Sequence, residues 1–187
     1  MSIRRITMSI GDTQVVTGEC RLSFVNLFEP RTFRETDTPK YSVTIIVPKS
    51  DEKTVKAIKT AIQKAAEKGA QKHFGGRVPT NVANTFKDGD TETDDMGDLV
   101  NIKYPEYKGC YYMRLQTKFK PKVLNIDRQE IIDPTEVYSG CYGRVSLTCF
   151  AYSGDGKRGV SACLNNVMKT RDGEPLTSQL SGDEFGE

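Results

Sequence analysis

Catalytic side chains are scarce in this chain. Histidine occurs once, as His73, near the expected end of a helix and with no Ser or Cys nucleophile pattern nearby, so acid–base or triad chemistry has little to work with. The five cysteines (Cys20, Cys110, Cys141, Cys149 and Cys163) are odd in number and never spaced as C-x-x-C. That argues against a disulfide framework or a zinc knuckle, and they read as small buried apolar residues. No stretch approaches the ~20 apolar residues a membrane span needs, and Met1 to Ile10 lacks the continuous apolar run of a secretion signal. The expectation is a cytoplasmic protein with no membrane partner. A large basic excess is missing too: the net charge is +2, which alone does not point to a nucleic-acid partner. No enzyme activity, cofactor or metal is expected.

What is present is segregated by segment. At 187 residues the chain suits one domain. Residues 173–187 hold four acids and no base, which leaves residues 1–172 with a net charge of +6. The expected organisation is therefore a body over 1–172 and a flexible acidic tail over 173–187. A second acidic run, Asp88 to Asp98, holds six acids and no base, and is followed from Lys103 to Lys122 by six Lys or Arg, with tyrosines among them and Glu106 as the single acid.

Alternation of apolar and polar residues predicts a strand over Val15 to Phe28, with Val16, Cys20, Leu22 and Phe24 inward. Lys40 to Val47 reads as a second strand, with Tyr41, Val43, Ile45 and Val47 inward and Lys40, Ser42 and Thr44 outward. Ser50 is the expected N-cap of a helix whose Val55, Ile58, Ile62, Ala65 and Ala66 recur at helical spacing, ending near Gly69 to Phe74. Gly75 to Asp98 reads as a long excursion. Cys110 to Phe119 is a strand with Met113 and Leu115 inward and Tyr112, Arg114, Gln116 and Lys118 outward. Cys141 to Tyr152 is another, with Val145, Leu147 and Cys149 inward and Tyr142, Arg144, Ser146, Thr148 and Phe150 outward. A turn at Gly154 to Gly156 leads to a strand over Gly159 to Val167. Five or six strands, one helix and no repeated β-α-β alternation predict a mainly β fold, an antiparallel barrel with one long amphipathic helix inserted.

The outward rows of four strands share one chemistry: Arg21, Lys40, Tyr112, Arg114, Lys118, Tyr142 and Arg144. Exposed aromatic rings stack on unpaired bases at ~1–3 kcal/mol each, while Lys and Arg between them neutralise phosphates, and neither contact depends on base identity. Tyr104 and Tyr107 extend this candidate platform and Lys120 its basic rim; Tyr111 falls inward and reads as core. The competing reading is an ordinary solvated face. The Asp88 to Asp98 acids read as a solvated loop, since an EF-hand would want Gly where Thr93 stands and Glu where Leu99 stands. Gly154, Gly156 and Gly159 match G-x-G-x-x-G but lie between two strands, where a dinucleotide site needs a strand and then a helix; they read as a hairpin turn. In the acidic end, Asp183, Glu184 and Phe185 combine charge with one aromatic, a pattern suited to docking in a basic, apolar-floored groove of a partner.

Several segments resemble the phage-encoded single-stranded DNA-binding proteins. They are Thr17-Gly-Glu-Cys-Arg-Leu-Ser, Lys40-Tyr-Ser-Val followed by Pro48-Lys-Ser-Asp, Tyr104-Pro-Glu-Tyr-Lys-Gly109, Tyr138-Ser-Gly-Cys-Tyr142, Leu164-Asn-Asn and Arg171-Asp-Gly-Glu-Pro-Leu176. The resemblance implies an OB fold, sequence-tolerant binding of single-stranded DNA, no cofactor, and a C-terminal tail that contacts replication or recombination proteins. It leaves a homodimer open. A phage assembly protein, using the tyrosine-rich face between subunits, is the alternative.

Overall fold

The computed structural model describes residues 11–32 and 34–176. In chain order these form β1 (Gln14–Val16), β2 (Cys20–Arg31), β3 (Lys40–Pro48), α1 (Glu52–His73), β4 (Phe86–Asp88), α2 (Val100–Lys103), a 3-10 turn at Pro105–Tyr107, β5 (Cys110–Thr117), β6 (Lys122–Leu124), a second 3-10 turn at Pro134–Glu136, β7 (Tyr142–Gly154) and β8 (Lys157–Arg171).

Five strands close into a barrel. β2 pairs antiparallel with β3, β3 with β5, β7 with β8 and β7 with β2, and a parallel contact between Gln116 of β5 and Cys163 of β8 completes the circle. This is the expected OB-type Greek-key barrel. The parallel contact is short because residues 83–88 wedge into the fork between its two strands. There the Val160 amide donates to the Ala83 carbonyl and Phe86–Asp88 pair with Tyr111–Met113. Inward alternation fills the barrel with Leu22, Val43, Ile45, Met113, Leu115, Val145 and Leu147, each at most 0% exposed. The helix follows the second barrel strand, and its buried Ile58, Ala61, Ile62, Ala65 and Ala66 pack on β7 and β8. Its cap is Asp51 instead of Ser50, the carboxylate accepting from the Thr54 amide at 3.2 Å.

The first expected strand is broken. The buried Thr17 donates its amide to the Val145 carbonyl, and its hydroxyl accepts from the Val145 amide, so the chain bends between β1 and β2. Val16 is exposed, not inward. Phe24 turns outward while Ser23 is buried, because Phe24 adopts φ +47° and the β2–β3 register shifts between Ser23 and Asn26. Such a bulge exchanges the two faces of a strand. The outer side of β3, expected to be wet, is covered: Ser42, Thr44 and Ile46 are all buried.

Gly154 pairs with Lys157 across Asp155 and Gly156, both at positive φ (49° and 74°), a two-residue hairpin as expected. All five cysteines are free; Cys20, Cys141 and Cys149 are buried and Cys110 and Cys163 half-buried. Burial pushes the Cys20 and Cys149 thiols up to about 12. Residues 173–176, the start of the expected tail, lie along the barrel, with the Leu176 amide donating to the Ser139 carbonyl at 2.8 Å. Met1 to Ile10 and residues 177–187, with Asp183, Glu184 and Phe185, lie outside the described residues. Among the described residues no helix is long and apolar enough to cross a membrane.

Candidate nucleic-acid interface

The strand register builds one outer surface from three strands. β3 and β5 place Ile46 opposite Tyr112, Thr44 opposite Arg114 and Ser42 opposite Gln116; β2 adds Arg21 opposite Ile46 and Ser23 opposite Thr44. Lys40 starts β3 and Lys118 follows the end of β5. Beneath the loop at Arg34 to Thr38, the side chains of Lys40, Arg114, Gln116 and Lys118 line a groove of about 510 Å³. Three of the predicted cations, Lys40, Arg114 and Lys118, are thus brought onto one track. Partial burial lowers the Arg114 pKa, yet a guanidinium stays charged at any working pH.

Tyr112 has a foundation. The Tyr107 ring stacks on it at 4.2 Å with an 8° interplanar angle, Tyr104 tilts against Tyr107 at 5.2 Å, and Phe24 meets Tyr104 edge-on at 5.5 Å. Tyr107 is only 4% exposed, so it does not offer a stacking face as expected; it supports Tyr112 from one side. Burial raises the phenol pKa of both. Tyr111 stacks on Phe86 at 4.8 Å and packs against the main core, as its inward position predicts.

The segment carrying Tyr104 and Tyr107 covers Ile46 with the help of Val100, and Asp90 fastens it. One Asp90 oxygen accepts from Lys49 Nζ at 2.8 Å; the other accepts from the Gly109 amide at 3.0 Å and from Asn101 Nδ2 at 3.3 Å. Asp88 also holds Lys49, at 2.7 Å. The Lys49 ammonium and the Gly109 amide keep the Asp90 carboxyl below its ordinary range. At Asp88 burial pushes upward, but the bonds to Lys49 and to the Asp90 amide prevail and the pKa is lowered. Two members of the acidic run, expected to be solvated, are therefore structural. Among the described residues no group of three or more His, Cys, Asp or Glu could hold a metal ion.

The remaining predicted residues are engaged elsewhere. Arg21 donates from Nε to the Gly140 carbonyl at 3.3 Å and from Nη2 to the Glu174 carbonyl at 2.6 Å, so it anchors the C-terminal segment to the barrel. The Arg171 guanidinium lies 3.6 Å from the Tyr142 ring centroid and covers that ring, while its Nε donates to Glu19 at 2.8 Å. Arg144 donates from Nε to the Thr17 carbonyl at 3.0 Å and ties down the bend between β1 and β2. Lys120 stands in a separate groove with Arg31 and Ile132. Among the described residues, three exposed aromatics were not singled out from the sequence: Phe24, Phe119 and Phe150. Alternation placed Phe150 outward; the bulge hid Phe24, and Phe119 sits past the strand end where alternation stops.

A five-stranded OB-type barrel whose outer face carries tyrosine and cations is an architecture from which oligonucleotide-binding modules are built. The chain belongs to the family described as "Enterobacter phage Enc34, ssDNA-binding protein", whose model matches residues 13–187. It is similar to the solved single-stranded DNA-binding protein from bacteriophage Enc34 in complex with ssDNA, at 27% identity over 88% of this chain and 90% of that one, with a TM-score of 0.68. A C-terminal truncation of that phage's protein gives the same identity and TM-score over 88% and 89% of the two chains. At the level of fold it is also similar to gp2.5, a single-stranded DNA-binding protein encoded by bacteriophage T7, at 12% identity over 95% and 96%, with a TM-score of 0.61. No curated protein matches the sequence.

Proposed function

We propose that this protein binds single-stranded DNA without regard to sequence along the outer face of β2, β3 and β5, without catalysing a reaction on it. The observation that carries this is the outer row of β5, where Tyr112 and Arg114 stand two residues apart opposite Ile46 and Thr44 of β3, with Lys40 and Lys118 lining one groove with Arg114. The similarity to a protein solved with ssDNA supports it. Bases stack on Tyr112, held by Tyr107, with Tyr104 and Phe24 continuing the aromatic surface, while the cations take the phosphates. Arg21, Tyr142 and Arg144 frame the face and hold its neighbours. Lys120 takes a phosphate only from a strand that runs past the end of β5.

The setting is phage or prophage DNA replication and recombination in the host cytoplasm, where the protein keeps single strands from pairing or being cut. The tail recruits replication proteins through Asp183, Glu184 and Phe185 and, being acidic, competes with DNA for the basic face.

The test is fluorescence anisotropy with labelled oligothymidine and a duplex of equal length, titrated with salt. Preferential single-strand binding that weakens with salt, and that drops about tenfold or more in Tyr112→Ala/Arg114→Ala, is expected. Stable large oligomers with no salt-sensitive DNA affinity would instead identify an assembly protein. A chain ending at residue 177 should bind more tightly at low salt; equal or weaker binding rules out the competition.

A further inference from the structure

The β2–β3–β5 face does not end at Lys118. A second groove, of about 450 Å³, shares Lys40, Arg114, Gln116 and Lys118 with the first and runs on over the outer side of β8 to Phe119 and Phe150. Phe119 is 82% exposed and Phe150 44%. Isolated exposed apolar side chains are common on protein surfaces. Two phenylalanines in one cleft, next to lysines and continuous with a basic face, are a more specific arrangement, because rings and cations together match the two halves of a nucleotide.

The wall of this cleft supplies a further observation. Thr85 lies where residues 83–88 enter the fork between β5 and β8, and it lines the same groove. Its hydroxyl is the one buried side-chain N or O atom among the described residues that lacks a hydrogen-bond partner. Phe86, the next residue and the first of β4, is buried in the core, while Thr85 lines the groove on the outer side. A buried hydroxyl without a partner is a destabilising feature that a ligand edge can satisfy.

Building on the single-strand reading above, we propose that this cleft is a nucleobase pocket: one unstacked base of the bound strand enters beside Phe119 and Phe150, and its polar edge reaches the Thr85 hydroxyl. Lys40 and Lys118 hold the flanking phosphates. The pocket reads the presence of a base, where the lysines read only charge, and it carries the strand from the β5 face onto β8. Any base with an exposed ring face and a polar edge fits, so the pocket does not require a fixed sequence.

The experiment compares an oligothymidine with the same oligonucleotide carrying abasic sites throughout, for the wild type, Phe119→Ala/Phe150→Ala and Thr85→Val. The wild type is expected to prefer the base-bearing strand. The double phenylalanine variant should lose about tenfold or more on that strand, with abasic binding and salt dependence unchanged. Thr85→Val should lose about threefold on the base-bearing strand only, while its thermal midpoint stays level or rises, because the substitution removes the orphan hydroxyl without changing the side-chain shape. Equal loss on both strands, or no loss in the double variant while the wild type binds, would overturn the pocket and leave the single-strand reading standing. A Thr85→Val variant that binds the base-bearing strand as tightly as the wild type would remove the hydroxyl from the site. No wild-type binding to either oligonucleotide would overturn the single-strand reading and the pocket with it.

Discussion

Asp90 touches no part of the surface assigned to DNA, yet Lys49, Gly109 and Asn101 all donate to its carboxylate, and through it the Tyr104–Tyr107 segment is held on the barrel. Its folded pKa lies below its unfolded value, which is ~3.9. The contribution to stability is therefore present above that value and is lost as pH falls through the folded pKa. Asp90→Asn should lower the thermal midpoint at neutral pH, and the gap to wild type should close on acidification below about pH 4; thermal melts across that range check it. Tyr107→Ala removes the ring beneath Tyr112 and should cost about 3 kcal/mol of stability as well as DNA affinity. Tyr107→Phe keeps the stack and should keep the affinity; denaturant titration and anisotropy separate the two. None of this was readable from composition. A tyrosine followed by Lys108 in a basic stretch looks like surface, and only the fold of residues 99–108 over Ile46 reveals it as support.

Among the elements, those with clean alternation were legible: Met113 and Leu115 inward with Tyr112 and Arg114 outward on β5, and Val145, Leu147 and Cys149 inward on β7. The helical spacing of α1 and the Asp155-Gly156 hairpin were legible for the same reason, that local pattern and local geometry agree. Phe24 was misplaced because a bulge reverses the faces midway along β2, and the break after Val16 is set by Thr17 bonding to Val145, a residue far along the chain. The Arg21, Gly140 and Glu174 arrangement was equally hidden. Gly140 sits at φ +116°, and a Cβ there would run into the backbone at Glu174 and Leu176. Gly140→Ala should thus detach residues 173–176 from the barrel and cost at least about 1 kcal/mol. Faster tryptic cleavage after Arg171, with the barrel still folded by circular dichroism, is the expected readout.

On the scale of the molecule, a net charge of +2 conceals a basic track because the compensating acids lie in the 88–98 run and beyond residue 173. Salt dependence measures the track directly: each phosphate neutralised on a single strand contributes about −0.7 to the slope of log K against log salt. Lys40→Ala/Lys118→Ala should therefore flatten that slope by about 1.4. The strand order also bears on how the protein is made. Cys20 and Gly143, paired across the barrel, are 123 residues apart, and β8 closes the circle last. At ~5–20 residues per second of synthesis, β2 and β3 wait several seconds for β7. During that time α1, whose buried face packs mainly on β7 and β8, lacks most of the surface that covers Ile58 and Ile62. The nascent chain thus passes through a window of exposed apolar helix and open strand edge, in which a holding chaperone decides yield, and pausing near residue 140 should send more of it into aggregates.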